Sequence, residues 1–167
     1  MNRNKRLRDL TVAAMIAALY LLFTWIASIM GLSSGAIQVR FSEALCILPY
    51  FTAAAIPGLF VGCLLANLFT GTILDIVFGT LATLIGAIGT YVLRRYKWLA
   101  PLPPILANAI IIPFVIAYSG LTPDLITLPL LLGYAATVGI GEIISCGALG
   151  MPLLHFLQKY RDILFGR

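Results

Sequence analysis

Between Leu10 and Leu93 the chain carries three charged side chains, Arg40, Glu43 and Asp75. The apolar runs that separate them are too long and too continuous for a water-soluble fold. A hydrocarbon core about 30 Å thick is crossed by about 20 apolar residues in a helix. Lipid offers no partner to a bare N–H or C=O, so a spanning segment is either a helix or part of a closed barrel. These runs do not alternate with a period of two, and helices are therefore expected. Composition agrees, since 61% of the 167 residues are hydrophobic and 10% are charged, which leaves too little polar surface to face water. The net charge of +5 does not point to nucleic acid, because the basic residues flank apolar runs and form no face of their own.

Arg3, Lys5, Arg6 and Arg8 precede the first run. That run is longer than a signal-peptide core and shows no clear small-residue cleavage site, so it is expected to be a first span. Spans are expected over 10–30, 37–52, 55–70, 73–93, 104–119 and 128–157, all within one membrane domain covering 1–167. The breaks lie at Gly31-Leu-Ser-Ser-Gly35, before Pro57, over Asn67 to Thr72, at Pro101-Leu-Pro-Pro104 and over Gly120 to Thr127. Pro113 is expected to bend the fifth span. Charge sets the count in the ambiguous region 37–93, which divides into two spans or three. The cluster Arg94, Arg95 and Lys97 should share the cytoplasmic side with the basic N-terminus, and that requires three crossings after the first. The expected fold is an all-α integral membrane protein with six transmembrane helices and both termini cytoplasmic.

On that topology every basic residue except Arg40 lies on the cytoplasmic side. Gln38, Arg40 and Glu43 fall at the outer end of the second span, Asn67 and Asp75 flank an external turn, and Glu142 sits midway along the sixth span. Ionisable groups at membrane depth cost roughly 2.5 to 3.5 kcal/mol each on insertion scales and are functional candidates by default. Three carboxylates against one guanidinium suit a ligand rich in hydrogen-bond donors or carrying an amine. Structural readings stand beside this one. Arg40 and Glu43, three apart, would neutralise each other on one helix face. Asp75 would cap a helix, Glu142 would bond across helices, and Asn67 and Asn108 would be interhelical glue. Stripes of small residues, Ala54-Gly58-Gly62-Ala66 among them, fit close helix packing. Cys46, Cys63 and Cys146 sit in apolar runs as small buried hydrophobes, with no expected metal or disulfide. Phosphate-loop, zinc-protease and serine-hydrolase motifs are absent, so neither an enzyme nor a cofactor is expected, and any ATP hydrolysis belongs to another chain.

Ile37-Gln-Val-Arg-Phe-Ser-Glu-Ala-Leu45, followed by Ile56-Pro-Gly-Leu-Phe60, Leu65-Ala-Asn-Leu68, and Asp75 before Phe78-Gly-Thr80, resembles the queuosine-precursor class of substrate-binding subunits (S components) of energy-coupling-factor transporters. The resemblance implies a six-helix bundle in a prokaryotic cytoplasmic membrane that captures a 7-deazaguanine base, such as prequeuosine or queuine, from outside. It implies a transmembrane coupling subunit and two ATPase subunits as partners. An Ala-x-x-x-Ala pattern on the first helix, matched by Ala13, Ala14, Ala17 and Ala18, would contact the coupling subunit. Gln38, Arg40, Glu43, Asn67, Asp75 and Glu142 would bind the base, with Glu43 and Glu142 taking its N–H groups or its aminomethyl cation. The alternatives are the same architecture with another vitamin or heterocycle, a structural membrane subunit with no ligand, and a solitary secondary transporter.

Overall fold

The structure, a computed structural model, describes residues 3–32, 39–120 and 125–165. Gln38, Asp124 and the Ser33–Gly35 part of the first break lie outside them. Helix α1 (Arg3–Ile29) is followed by a 3-10 helix (Phe41–Tyr50) and α2 (Ala55–Thr70). A π-helical turn (Asp75–Gly79) runs into α3 (Thr80–Val92). After a short 3-10 turn (Lys97–Leu99) come α4 (Leu102–Gly120) and α5 (Leu128–Glu142). A second π-helical segment (Ile143–Leu149) continues α5 into α6 (Gly150–Lys159), and α7 (Arg161–Phe165) ends the described chain. No strand occurs among the described residues.

The helix ends follow local chemistry. Gly31 adopts φ +72, the left-handed conformation that glycine takes without steric cost. It thereby lets Leu32 N–H reach Ala27 O and Gly31 N–H reach Ser28 O, both at 3.0 Å, the paired bonds of a Schellman stop. Pro57, Pro103 with Pro104, and Pro129 all fall in first turns, where the missing N–H has no helical partner to lose. Pro113 lies inside α4.

Among the described residues, four stretches are long and apolar enough to cross a membrane: Arg3–Ile29, Asp75–Val92, Lys97–Gly120 and Leu128–Lys159. The expected second and third spans are shorter. At about 2.0 Å per residue, the ten residues of the 3-10 helix extend about 20 Å; the sixteen of α2 extend about 24 Å. The 3-10 helix is the centre of the bundle, and every residue from Ser42 to Pro49 is buried. Large apolar side chains on the surrounding helices, such as Trp25, Phe69, Ile85 and Ile110, point outward.

Contacts give the relative directions of neighbours. Gly58 lies against Ala13 and Gly62 against Ala17 and Tyr20, so α1 and α2 run the same way. Thr24 bonds Ser42 and Tyr20 bonds Glu43, so the 3-10 helix runs opposite to α1. Arg40 meets Ser145, Glu43 meets Cys146, and Ile47 meets Gly150, so the 3-10 helix runs with the second π segment and α6. Gly79 faces Ile112 and Gly86 faces Pro104, so α3 and α4 are antiparallel.

The α1–α2 contact depends on missing side chains. A Cβ on Gly62 would stand 2.8 Å from Tyr20 Cβ and 3.0 Å from the Ala17 backbone, whereas Gly133 has nothing within 4 Å. Gly62→Leu is expected to destabilise the fold by at least about 1–3 kcal/mol through overpacking and to lower the melting temperature of the detergent-purified protein. Gly133→Ala should leave it within a degree or two.

Candidate functional site

A cavity of about 340 Å³ opens between α1, α2, α4 and the first π turn; Tyr20, Thr24, Ser28, Arg40, Asn67, Thr70, Asp75 and Ser119 supply its polar lining. That volume is at the lower end of small-molecule sites, which run from about 300 to 1,000 Å³. Ile112, Val115 and Ile116 supply an apolar wall on one face of α4.

Arg40 precedes the 3-10 helix in extended backbone, φ −107 and ψ 107. Its N–H donates to Ser145 Oγ at 3.2 Å, which anchors the main chain and leaves the side chain on the cavity. Among the described residues no carboxylate lies within 4.0 Å of its guanidinium, so Arg40 and Glu43 make no direct ion pair, although the Glu43 and Glu142 carboxyls are near enough to act on its charge. Glu43 lies one turn further in and is 1% exposed. Its Oε1 accepts from Tyr20 OH, and Cys46 Sγ lies 3.1 Å from its Oε2. Tyr20 thus joins the cavity wall to the buried carboxylate.

Glu142, 7% exposed, closes α5. Cys146 Sγ is 3.3 Å from Glu142 Oε2 and 3.2 Å from Glu43 O, and its single proton can serve one of them at a time. Ligand atoms of Glu43, Glu142 and Cys146 lie within 4.8 Å of one another. Two carboxyl groups this close in an apolar surround need donors between them. Glu43 and Glu142 are therefore together, but behind the cavity lining rather than on it.

Asn67 and Asp75 are both on the cavity with much of their bonding capacity in use. Asn67 Nδ2 donates to Asp75 O at 2.9 Å, with Thr80 Oγ1 at 3.4 Å, and ties α2 to the first π turn. Asp75 Oδ2 accepts from Thr72 N at 3.0 Å and from Thr72 Oγ1 at 2.9 Å, while Asp75 N–H faces Thr72 Oγ1 at 3.3 Å. This is a reciprocal capping box, and the helix-cap role for Asp75 is realised. Thr72 Oγ1 also meets Ser119 Oγ at 3.2 Å, which links the turn to the end of α4.

Of the remaining site residues, Gln38 is outside the described residues. Of the four alanines on α1, Ala13 and Ala17 pack on Gly58 and Gly62, and Ala14 and Ala18 face outward. Sequence reasoning missed Tyr20, Thr24 and Ser28. Their signal was present as three hydroxyls at i, i+4 and i+8 in the otherwise apolar stretch Val12–Ile29 of α1, which places them on one face.

Comparison with known proteins points one way. The model of the QueT transporter family matches residues 10–159. The queuosine precursor transporter QueT of Lactococcus lactis subsp. cremoris (strain MG1363) is 32% identical over 90 residues, 53% of this chain and 53% of that protein. The match thus spans about half the length of that relative. No solved structure matches the chain.

The Tyr20–Glu43 bond should carry measurable stability. Tyr20→Phe keeps the ring and removes the donor, leaving a buried carboxyl oxygen without its partner, which costs about 1–3 kcal/mol. Thermal unfolding of the purified variant should show that loss as a lower melting temperature. An unchanged melting temperature would mean that the bond contributes nothing to the fold.

Proposed function

This chain belongs to the QueT transporter family, and from that premise we propose that it captures a queuosine precursor, a 7-deazaguanine base, on the outer side of a prokaryotic cytoplasmic membrane. The family and the four apolar helices make it a multi-pass membrane protein. The observation that carries the binding proposal is the cavity, which gathers Arg40, Asn67 and Asp75 from three separate elements and meets the buried Glu43 through Tyr20. Arg40, which makes no direct ion pair, is available for the carbonyl of a base. Asp75 keeps a second oxygen beyond those bonded to Thr72. Glu43 and Glu142 form the deep acidic end, to which ring N–H groups or an aminomethyl cation would be drawn, and Gln38 belongs to the same set by its place beside Arg40.

The S-component reading extends this to the whole chain as one membrane domain, 1–167, with six crossings and both termini cytoplasmic. The alternating directions of α1, the 3-10 helix and α2 support it, with the second and third crossings made by short segments. Uptake would be driven by ATP hydrolysed in two ATPase subunits and passed through a transmembrane coupling subunit. Ala14 and Ala18, outward on α1, are the best placed of the four alanines to touch that subunit, with Ala13 and Ala17 setting the position of the helix behind them.

Ligand titration of the detergent-purified chain tests the binding proposal. Prequeuosine or queuine should bind and raise the melting temperature, as any ligand specific to the native state must, while guanine binds more weakly. Arg40→Gln should reduce affinity about 10-fold or more, the scale of a lost hydrogen bond to a charged group. Folded protein that shows neither heat nor a thermal shift with these bases would return the cargo to another heterocycle or to none.

A further inference from the structure

We propose that Ser119, Thr70 and Asp75 form a rim on the cavity that offers lone pairs and no protons, and so takes an amino or ammonium substituent of the ligand. The inference deepens the reading of the chain as a deazaguanine-binding protein and rests on it. All three residues line the cavity. They come from separate elements: Thr70 ends α2, Asp75 opens the first π turn, and Ser119 lies in the last turn of α4. Behind two of them stands the Thr72 hydroxyl, which fixes the direction of their hydrogen bonds.

A hydroxyl has one proton and two lone pairs. Thr72 Oγ1 lies 2.9 Å from Asp75 Oδ2, an oxygen that also accepts from Thr72 N–H at 3.0 Å, so Thr72 gives its proton to the carboxylate. Asp75 N–H faces one of the Thr72 lone pairs at 3.3 Å. Ser119 Oγ is 3.2 Å from the same oxygen, which has only its second lone pair left. Ser119 must therefore donate to Thr72, and its own oxygen can only accept from a group in the cavity. Thr70 has the same polarity, because its Oγ1 donates to Ala66 O at 2.8 Å, the back-bond by which a helical hydroxyl satisfies its proton. Asp75 supplies the third acceptor through the oxygen not bonded to Thr72. A nitrile or carbonyl brought to this rim would set lone pair against lone pair, whereas an ammonium group has three protons to give. Arg40, the cation on the cavity, is then left for the ring carbonyl.

The test titrates the full detergent-purified chain with 7-aminomethyl-7-deazaguanine and with its 7-cyano counterpart. The wild type should prefer the aminomethyl compound by about 10-fold or more, the scale of a hydrogen bond to a charged group. Ser119→Ala should weaken the aminomethyl compound about fivefold and leave the cyano compound within about twofold of wild type. Asp75→Asn is the sharper variant. Asparagine caps a helix as well as aspartate does, so its carbonyl can keep the Thr72 bonds while its NH2 replaces the remaining oxygen with a donor. The ligand-free melting temperature should therefore stay near that of the wild type, and the preference should reverse toward the cyano compound. Equal binding of the two compounds by the wild type overturns the inference. So does a preference that survives Asp75→Asn, which would send the amine to Glu43 and Glu142, or an alanine variant that binds both compounds as the wild type does or weakens both alike, the mark of a merely structural hydroxyl. Failure of the wild type to bind either compound is distinct and removes the deazaguanine reading on which the rim rests.

Discussion

A carboxylate with almost no contact with solvent organises this bundle. Glu43 sits on the central 3-10 helix at 1% exposure, where an uncompensated charge or lone pair would be too costly to keep. Its compensation comes from three places: Tyr20 on α1, Cys46 one turn along the same helix, and, at its backbone carbonyl, Cys146 in the second π segment. Those bonds fix the register of α1 and of the chain after α5 against the central helix. The small-residue contact of Gly58 and Gly62 with α1 then places α2, and through Asn67 the first π turn. The polar centre and the apolar packing thus specify one arrangement between them. In a lipid setting, where apolar side chains gain little by leaving the lipid for one another, close packing and polar bonds must supply that specificity.

The cavity follows from the same placement. Tyr20, Thr24 and Ser28 form one face of α1, and the 3-10 helix has to pass that face for Tyr20 to reach Glu43. Arg40, just before the helix, is thereby brought to the opening between α1 and α4. On the far side, the capping box of Thr72 and Asp75 ends the turn after α2, and the Asn67 bond to Asp75 O holds it down. Several polar groups at the site therefore have two duties. Asp75 and Asn67 build the wall with one part of the side chain or backbone and present the rest to the cavity, which is why structural and binding readings of these residues do not exclude each other.

Much of the architecture was legible because it rests on strong local signals. The expected breaks fall at Gly31, before Pro57 and at the proline cluster before α4, and helices start or stop within a few residues of each. The helical class followed from the length of the apolar runs and their lack of alternation. The form of the second segment was not legible: hydrogen bonds from i to i+3 or i+4 use the same residues, and burial on every side, not composition, selects the tighter winding. A direct Arg40–Glu43 contact is missing for a related reason. Spacing of three implies a shared face only if both residues are helical, and Arg40 is extended. Asp75 and Asn67 were recognisable as polar residues at a turn, but whether each spends its atoms on the backbone depends on neighbours brought by the fold. Asn108 looked like glue for the same reason.

The two π-helical segments add a final step. Each stands at a carboxylate of the site: Asp75 opens the first, and Glu142 immediately precedes the second. Such wide turns are rare and occur mostly at functional positions, since they exchange regular bonding for a changed direction of side chains. In the second segment the effect is visible. Ser145 accepts from Arg40 N–H while the adjacent Cys146 turns to Glu43 O, so two consecutive residues address the same neighbouring helix. Successive side chains diverge by about 100° in a regular α-helix and by somewhat less in the wider turn, which favours two consecutive residues on one neighbour. The second segment thus holds the main chain of Arg40 at the cavity through Ser145 and sets the Cys146 thiol between the Glu142 carboxyl and the backbone carbonyl of Glu43.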